Sequence, residues 1–236
     1  MYIWSPWRGC RRVSEGCRFC YIHKGDAKRG VDTGSIIKND DTFYAPVAVK
    51  KDGAYKMRAG STVYVCFSSD FLIEEADRWR RECWEIIKER NDLNFLFLTK
   101  RIERFADNVP SDWDDGYDNV TVGCTVEDQG AADRRLAVFD DLPIKHKNII
   151  ASPMIGPIDL EGHLKDVELV VVGGEQDKDA RPLDYDWVLR IRDQCVISNV
   201  RFQFRQCGTH FIIDGNVTKV PPYQQGAVAR KMAVDL

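Results

Sequence analysis

Thr62-Val63-Tyr64-Val65-Cys66-Phe67 and Asn94-Phe95-Leu96-Phe97-Leu98 are two β-prone runs that bracket a segment of a different period. Both runs are nearly continuous in apolar residues, as expected of strands covered on both faces in a parallel sheet. Between them Trp79, Cys83, Ile86 and Ile87 fall at i, i+4, i+7 and i+8, which predicts an amphipathic helix over 74–90. The alternation continues along the chain. Strands are predicted over 119–124, 148–152, 168–172 and 200–204, and shorter helices over 130–140 and 160–165. Another helix is predicted after Asp184, a suitable N-cap, with Trp187, Val188, Ile191 and Cys195 on one face and an end near Asn199. Parallel strands need right-handed crossovers, and six or seven such units curl into a complete or partial (β/α) barrel. An open doubly wound sheet is the alternative that periodicity leaves open.

The N-terminal quarter reads differently. A short helix is expected over 20–29, and Asp52-Gly53 between β-prone runs predicts a hairpin insertion over 43–59. The tail 217–236, with Pro221-Pro222, is expected to wrap irregularly. With no internal repeat or linker, residues 1–236 read as a single barrel domain. No apolar run approaches the roughly 18 residues needed to span a bilayer, so no membrane partner is expected and the cytoplasm is the expected compartment. Thiols stay reduced there, and the eight cysteines read as packing residues or metal ligands rather than disulfides. The net charge of −3 argues against a polycationic coat. One basic patch exists: between Arg8 and Gly30 lie Arg8, Arg11, Arg12, Arg18, Lys24, Lys28 and Arg29 against only Glu15 and Asp26.

That patch surrounds a cysteine loop at 8–23. Cys10, Cys17 and Cys20 form C-x6-C-x2-C. Three thiolates on one short segment suit three irons of a 4Fe-4S cluster and leave the fourth iron open, with Phe19 placed to shield it. His23 extends the pattern to C-x6-C-x2-C-x2-H, which suits a structural zinc site. Spacing alone leaves the metal undecided. Cys83 and Cys195 read as helix-face packing residues; Cys66, Cys124 and Cys207 sit near strand ends without close ligand spacing.

Chemistry in parallel barrels collects where strands end. The polar residues at those positions are Ser68, Ser69, Asp70, Thr99, Lys100, Arg101, Glu127, Glu175, Arg205 and Gln206. Lys100 or Arg101 suits a carboxylate or phosphate. Glu175 suits an amine, with Gly173 and Gly174 admitting close approach, and Glu127 suits ribose hydroxyls. Asp70 has a second reading, as the cap of the helix near Glu74. The expected cofactor-binding set is Glu175, Gly173, Gly174, Lys100, Glu127 and Ser68. Arg101, Asp70, Arg205 and Gln206 form the expected substrate set, directed at an anionic small molecule or nucleic acid.

Trp4-Ser5-Pro6-Trp7-Arg8-Gly9-Cys10 with Val13-Ser14-Glu15-Gly16-Cys17-Arg18-Phe19-Cys20-Tyr21 resembles a phage-associated three-cysteine-motif family allied to radical S-adenosylmethionine enzymes. Phe97-Leu98-Thr99-Lys100-Arg101, Ile155-Gly156-Pro157-Ile158-Asp159-Leu160, and Val171-Val172-Gly173-Gly174-Glu175 with Ala180-Arg181-Pro182 extend the likeness to about Gly208. The first cysteine gap is six residues where the usual radical S-adenosylmethionine pattern has three, and Gly-Gly-Glu follows a late strand. The resemblance implies a barrel whose cysteine loop follows a first strand near 2–4. It also implies a 4Fe-4S cluster that binds and cleaves S-adenosyl-L-methionine, and a reduced electron donor such as flavodoxin or ferredoxin. A zinc-stabilised nucleic-acid-binding module and an iron–sulfur partner subunit without radical chemistry are the rival expectations.

Overall fold

In the computed structural model, which describes residues 1–232 and 234–236, strands and helices alternate along most of the chain. The N-terminal part contains β1 (Tyr2–Trp4), β2 (Trp7–Arg8), α1 (Tyr21–Lys28), β3 (Ile37–Lys38) and α2 (Asp40–Phe43). Then follow β4 (Thr62–Val65), α3 (Asp77–Glu89), β5 (Asn94–Thr99), β6 (Val120–Thr125), α4 (Gln129–Phe139), β7 (His146–Ala151) and β8 (Val167–Gly173). The last elements are β9 (Leu183–Asp184), α5 (Tyr185–Ile197), β10 (Arg201–Gln206), β11 (His210–Ile213), β12 (Asn216–Lys219) and α6 (Pro222–Lys231). Seven strands form one sheet in the order β1-β4-β5-β6-β7-β8-β10. Its pairs β1/β4, β4/β5, β7/β8 and β8/β10 are parallel, with Trp4 opposite Val65, Val65 opposite Phe97, Ile150 opposite Val171 and Phe204 opposite Val172. The fold is therefore mixed α/β on a parallel sheet, and β1 and β10 are the terminal strands of the order.

The chain divides into two compact units, the first made of Met1–Arg12, Cys20–Gly123 and Leu142–His146. In it, α3 buries Arg80, Cys83, Trp84, Ile86 and Ile87. Trp84 packs against Phe71 and Trp113 at ring separations of 5.1 and 5.3 Å. The expected face had Trp79 in place of Trp84; Trp79 is only half-buried and lies beside Trp7. A charged residue occupies the apolar stripe because its donors are satisfied. Arg80 gives Nε to the Phe71 carbonyl (2.7 Å), Nη2 to that of Ile73 (2.5 Å) and Nη1 to Asp77 (2.5 Å). Arg104 adds contacts to both Asp77 oxygens at 2.9 Å. Burial pushes the Asp77 carboxyl up, but the hydrogen bonds from Arg80 and Arg104 outweigh it and hold the net value below the ordinary range. A depressed carboxylate stabilises the fold above its unfolded value and loses that effect on protonation. The stability difference between wild type and Asp77→Asn is thus expected to be fully present above about pH 4 and to vanish as pH falls through the lower folded value. Urea midpoints across pH 2.5 to 7 check this, and a pH-independent difference refutes it.

Across 43–59 the chain forms a 3-10 turn at Ala45–Val47 and a single antiparallel bridge, Val49 opposite Tyr55. Gly53, at φ +82°, completes the turn between them.

The second unit comprises Val13–Phe19, Cys124–Asp141 and Lys147–Leu236. Asp184 caps α5 by accepting from the Asp186 amide at 3.0 Å, and α5 buries Val188, Ile191 and Cys195 before Asn199 turns the chain at φ +54°. Two expectations are corrected here. Residues 160–165 form turns, not a helix: Gly162 sits at φ +85°, and the Leu160 amide is taken by the Gln194 side chain at 2.8 Å. The tail is regular, not irregular. Asp214 and Gly215, at φ +50° and +73°, form the two-residue turn of an antiparallel hairpin pairing Ile213 with Asn216, and Pro222 begins α6 with its φ already set. The tail then flanks β10, with the Leu236 amide on the Phe202 carbonyl at 2.9 Å and Asp235 accepting from the Phe204 amide at 2.7 Å. No helix among the described residues is long and apolar enough to cross a membrane.

Candidate functional site

In the first unit the cysteine loop begins against main chain. Trp7, fully buried, stacks on Phe71 at 5.6 Å and donates to the Asp70 carbonyl at 3.3 Å. Gly9 follows at φ +90°, so close to 33–35 that an added Cβ would stand 2.4 Å from the Ser35 carbonyl oxygen and 2.9 Å from that of Thr33. Only glycine combines this φ with that approach. The Cys10 amide then donates to the Thr33 carbonyl at 2.8 Å, and Ser69 Oγ donates to the Gly9 carbonyl at 2.5 Å.

Asp70, 5% exposed, organises the ends of β4 and β5. Its carboxylate accepts from Leu72 N (2.9 Å), Thr99 Oγ1 (2.8 Å), Lys100 N (3.1 Å) and Arg101 Nη1 (3.0 Å). It caps no helix; it orients Arg101. Arg101 Nη2 in turn donates to the Arg11 carbonyl at 2.9 Å, and the same guanidinium hydrogen-bonds the Cys10 side chain. Burial works against the Arg101 charge, but Asp70 and Cys10 outweigh it and the net shift is upward. Ser68 Oγ donates to Ser5 Oγ at 3.0 Å. Cys20 is half-buried at the start of α1, and burial together with Arg12 holds the His23 imidazole below its ordinary value.

In the second unit Cys17 is buried in the 3-10 turn Glu15–Cys17. Gly16 rests on Glu127, whose Cβ and Cγ would be 3.0 Å from an added Cβ. Glu127, just beyond β6, is 1% exposed and accepts from Arg135 Nη1 at 2.7 Å, while Arg135 also donates to the Thr125 carbonyl at 2.7 Å. Glu175, beyond β8, is 4% exposed and accepts from Arg181 N (2.9 Å), Nε (3.0 Å) and Nη2. Arg181 Nη2 reaches the Glu15 carbonyl at 2.8 Å, and the guanidinium lies 5.7 Å from the centre of the Phe19 ring. Gly173 and Gly174 admit protein: added Cβ atoms would stand 2.8 Å from Ser152 Oγ and 2.8 Å from the Cys207 carbonyl oxygen, respectively. Gln206 Nε2 donates to the Gly174 carbonyl at 2.9 Å. Arg205 is exposed on the alternating strand β10.

Asp70, Lys100, Arg101 and Cys10 thus come together in one unit; in the other, Glu127 meets the 13–19 segment at Gly16, and Glu175 is joined to it through Arg181. Sequence reasoning gave no role to Arg135, Arg181 or Gly9. Arg181 lies in Ala180-Arg181-Pro182, and its spacing of six from Glu175 is the signal in the sequence that pairs the two. None of the eight cysteines is paired in a disulfide, and burial pushes the Cys66 thiol well up. Among the described residues no three His, Cys, Asp or Glu side chains stand grouped as a metal site.

Fold and site define a parallel α/β protein whose cysteine-bearing loop is tied, within each unit, to residues just beyond strand C-termini. The chain belongs to the family described as "Protein of unknown function (DUF5131)", whose model matches residues 2–232. No curated protein and no solved structure matches it.

Proposed function

We propose that the chain is a radical S-adenosylmethionine enzyme acting on an anionic substrate, built on a complete or partial barrel of that class. The observation that carries the reading is the docking of the cysteine loop at strand C-terminal ends, where parallel α/β folds assemble their chemistry. The donor set fits a 4Fe-4S cluster in kind and number: Cys10, Cys17 and Cys20 are three thiols outside any disulfide, and Arg101 beside Cys10 would offset thiolate charge. Such a cluster, reduced by a donor such as flavodoxin or ferredoxin, supplies the electron that cleaves S-adenosylmethionine to methionine and a 5'-deoxyadenosyl radical. The chain's own residues hold, orient and desolvate these parts. Glu127 and Glu175 act through Arg135 and Arg181, while Ser68, Lys100 and Gln206 stand at strand ends suited to polar ligand groups.

Anaerobic reconstitution with iron and sulfide, followed by reduction and a search for 5'-deoxyadenosine, tests the reading. Replacing Cys10, Cys17 or Cys20 with Ala is expected to remove most of the visible absorption, and His23→Ala to leave it. Stoichiometric zinc that depends on His23 refutes the reading in favour of a zinc module. A complete cluster with no cleavage of S-adenosylmethionine refutes it in favour of a partner subunit.

A further inference from the structure

We infer that Asp70–Arg101 and Glu175–Arg181 are two clamps that set the backbone of the cysteine loop, a positioning role that rests on the functional reading above. The two devices have the same construction. A buried carboxylate stands just beyond a parallel strand, Asp70 after β4 and Glu175 after β8, with side-chain exposures of 7% and 2%. Asp70 takes Nη1 of Arg101 and Glu175 takes the Nε–Nη2 edge of Arg181, and each arginine sends Nη2 to a main-chain carbonyl of the loop: Arg101 to Arg11 at 2.9 Å, Arg181 to Glu15 at 2.8 Å. The carbonyls belong to the six residues separating Cys10 from Cys17, so the long gap of C-x6-C supplies the handles by which the loop is held.

Gripping a carbonyl fixes backbone whatever the side chain, and the rigid guanidinium fork serves a carboxylate and a carbonyl in fixed directions, whereas a lysine ammonium is a compact point charge on a flexible stem. Buried ion pairs add little net stability over apolar packing, so two of them ending on one loop are better explained by geometry than by stability. Further contacts agree. Arg101 also hydrogen-bonds the Cys10 side chain, and the Glu15 carbonyl held by Arg181 is the acceptor for the Arg18 amide at 3.0 Å. Glu175 on this account is a positioning residue and not a ligand to an amine.

Amide hydrogen exchange on the metal-free full chain, read by mass spectrometry, tests the clamps without needing a cluster. Arg181→Lys and Glu175→Gln are expected to speed exchange at the Cys17 and Arg18 amides about tenfold or more, leaving the Cys10 amide within about twofold. Arg101→Lys and Asp70→Asn are expected to do the reverse. Alkylation of Cys17 by iodoacetamide should rise in parallel in Arg181→Lys. Unchanged exchange at 13–19 in both Arg181→Lys and Glu175→Gln overturns the proposal, as does equal acceleration throughout the chain, which marks general loosening. Iron uptake by the wild type is read separately. Segment-specific loosening in variants of a protein that takes up no iron keeps the clamps and removes the cluster; a loaded wild type with no segment-specific effect does the opposite.

Discussion

Glu127→Ala is expected to lower the stability of the chain by about 3 to 5 kcal/mol, the range for breaking a buried ion pair from one side. The side chains of Glu127 and Arg135 are 1% and 7% exposed, so the truncation leaves a guanidinium with little access to water. Arg135 keeps only a partial substitute in the Thr125 carbonyl at 2.7 Å. The cost is that of an orphaned charge and not the net worth of the pair. Replacing both partners with Met should therefore restore most of the loss, since an apolar pair of similar volume is often as stable as a buried ion pair. Urea unfolding of Glu127→Ala and of the double variant gives both numbers. A single-variant loss under about 0.5 kcal/mol, typical of surface positions, would return Glu127 to the role expected from its place after a strand, a carboxylate available to ribose hydroxyls.

That reassignment shows how much of the site the sequence carried. The strands were legible because their apolar residues fall in short β-prone runs: Phe95, Phe97, Val170 and Val172 are fully buried, although β10 buries only alternate residues rather than both faces. Helix faces were legible to within one step. On α3 Cys83, Ile86 and Ile87 are buried as expected and only Trp79 is not; Arg80 and Trp84 complete the face, Arg80 with its donors satisfied by carbonyls from Phe71 and Ile73, and no periodicity rule anticipates a charge on an apolar stripe. Among the polar residues expected at strand ends, Asp70, Arg101, Glu127 and Glu175 are buried or half-buried and Arg205 is exposed. It did not say what they face. The partners come from distant stretches: Asp70 meets Arg101 from the next strand, and Glu15 meets Arg181 across most of the chain. Gly173 and Gly174 suit the close approach of a ligand, but what approaches them is Ser152 and the chain at Cys207 and Gly208. A glycine signals close approach without naming what comes near.

Gly9→Ala tests that last point at the cysteine loop, and its expected cost is about 2 to 5 kcal/mol. Two contributions add. A residue with a Cβ held in the left-handed region costs about 1 to 2 kcal/mol, and forcing a methyl into a filled space costs about 1 to 3 more. The space is filled by backbone. Ser35 O and Thr33 O stand at 2.4 and 2.9 Å from the added carbon, in a turn closed by Asp32, which accepts from the Gly34 amide at 2.9 Å and Ser35 Oγ at 2.8 Å. A backbone so tied cannot yield as the end of a flexible side chain can. Gly30→Ala provides the control, because Gly30 has a similar φ of +66° and an added Cβ there meets nothing within 4 Å among the described residues. Its expected loss is the conformational part alone, so the difference between the two variants isolates the steric part. The relief open to Gly9→Ala is to lift the chain away from 33–35, which breaks the Cys10 amide bond to Thr33 and moves Cys10 from beside Arg101. Urea midpoints of both variants, with iodoacetamide labelling of Cys10, read the two consequences together. A Gly9→Ala loss no larger than that of Gly30→Ala, with Cys10 labelled at the wild-type rate, would mean that the loop is not pressed onto 33–35 and that Cys10 is held by its side-chain neighbours alone.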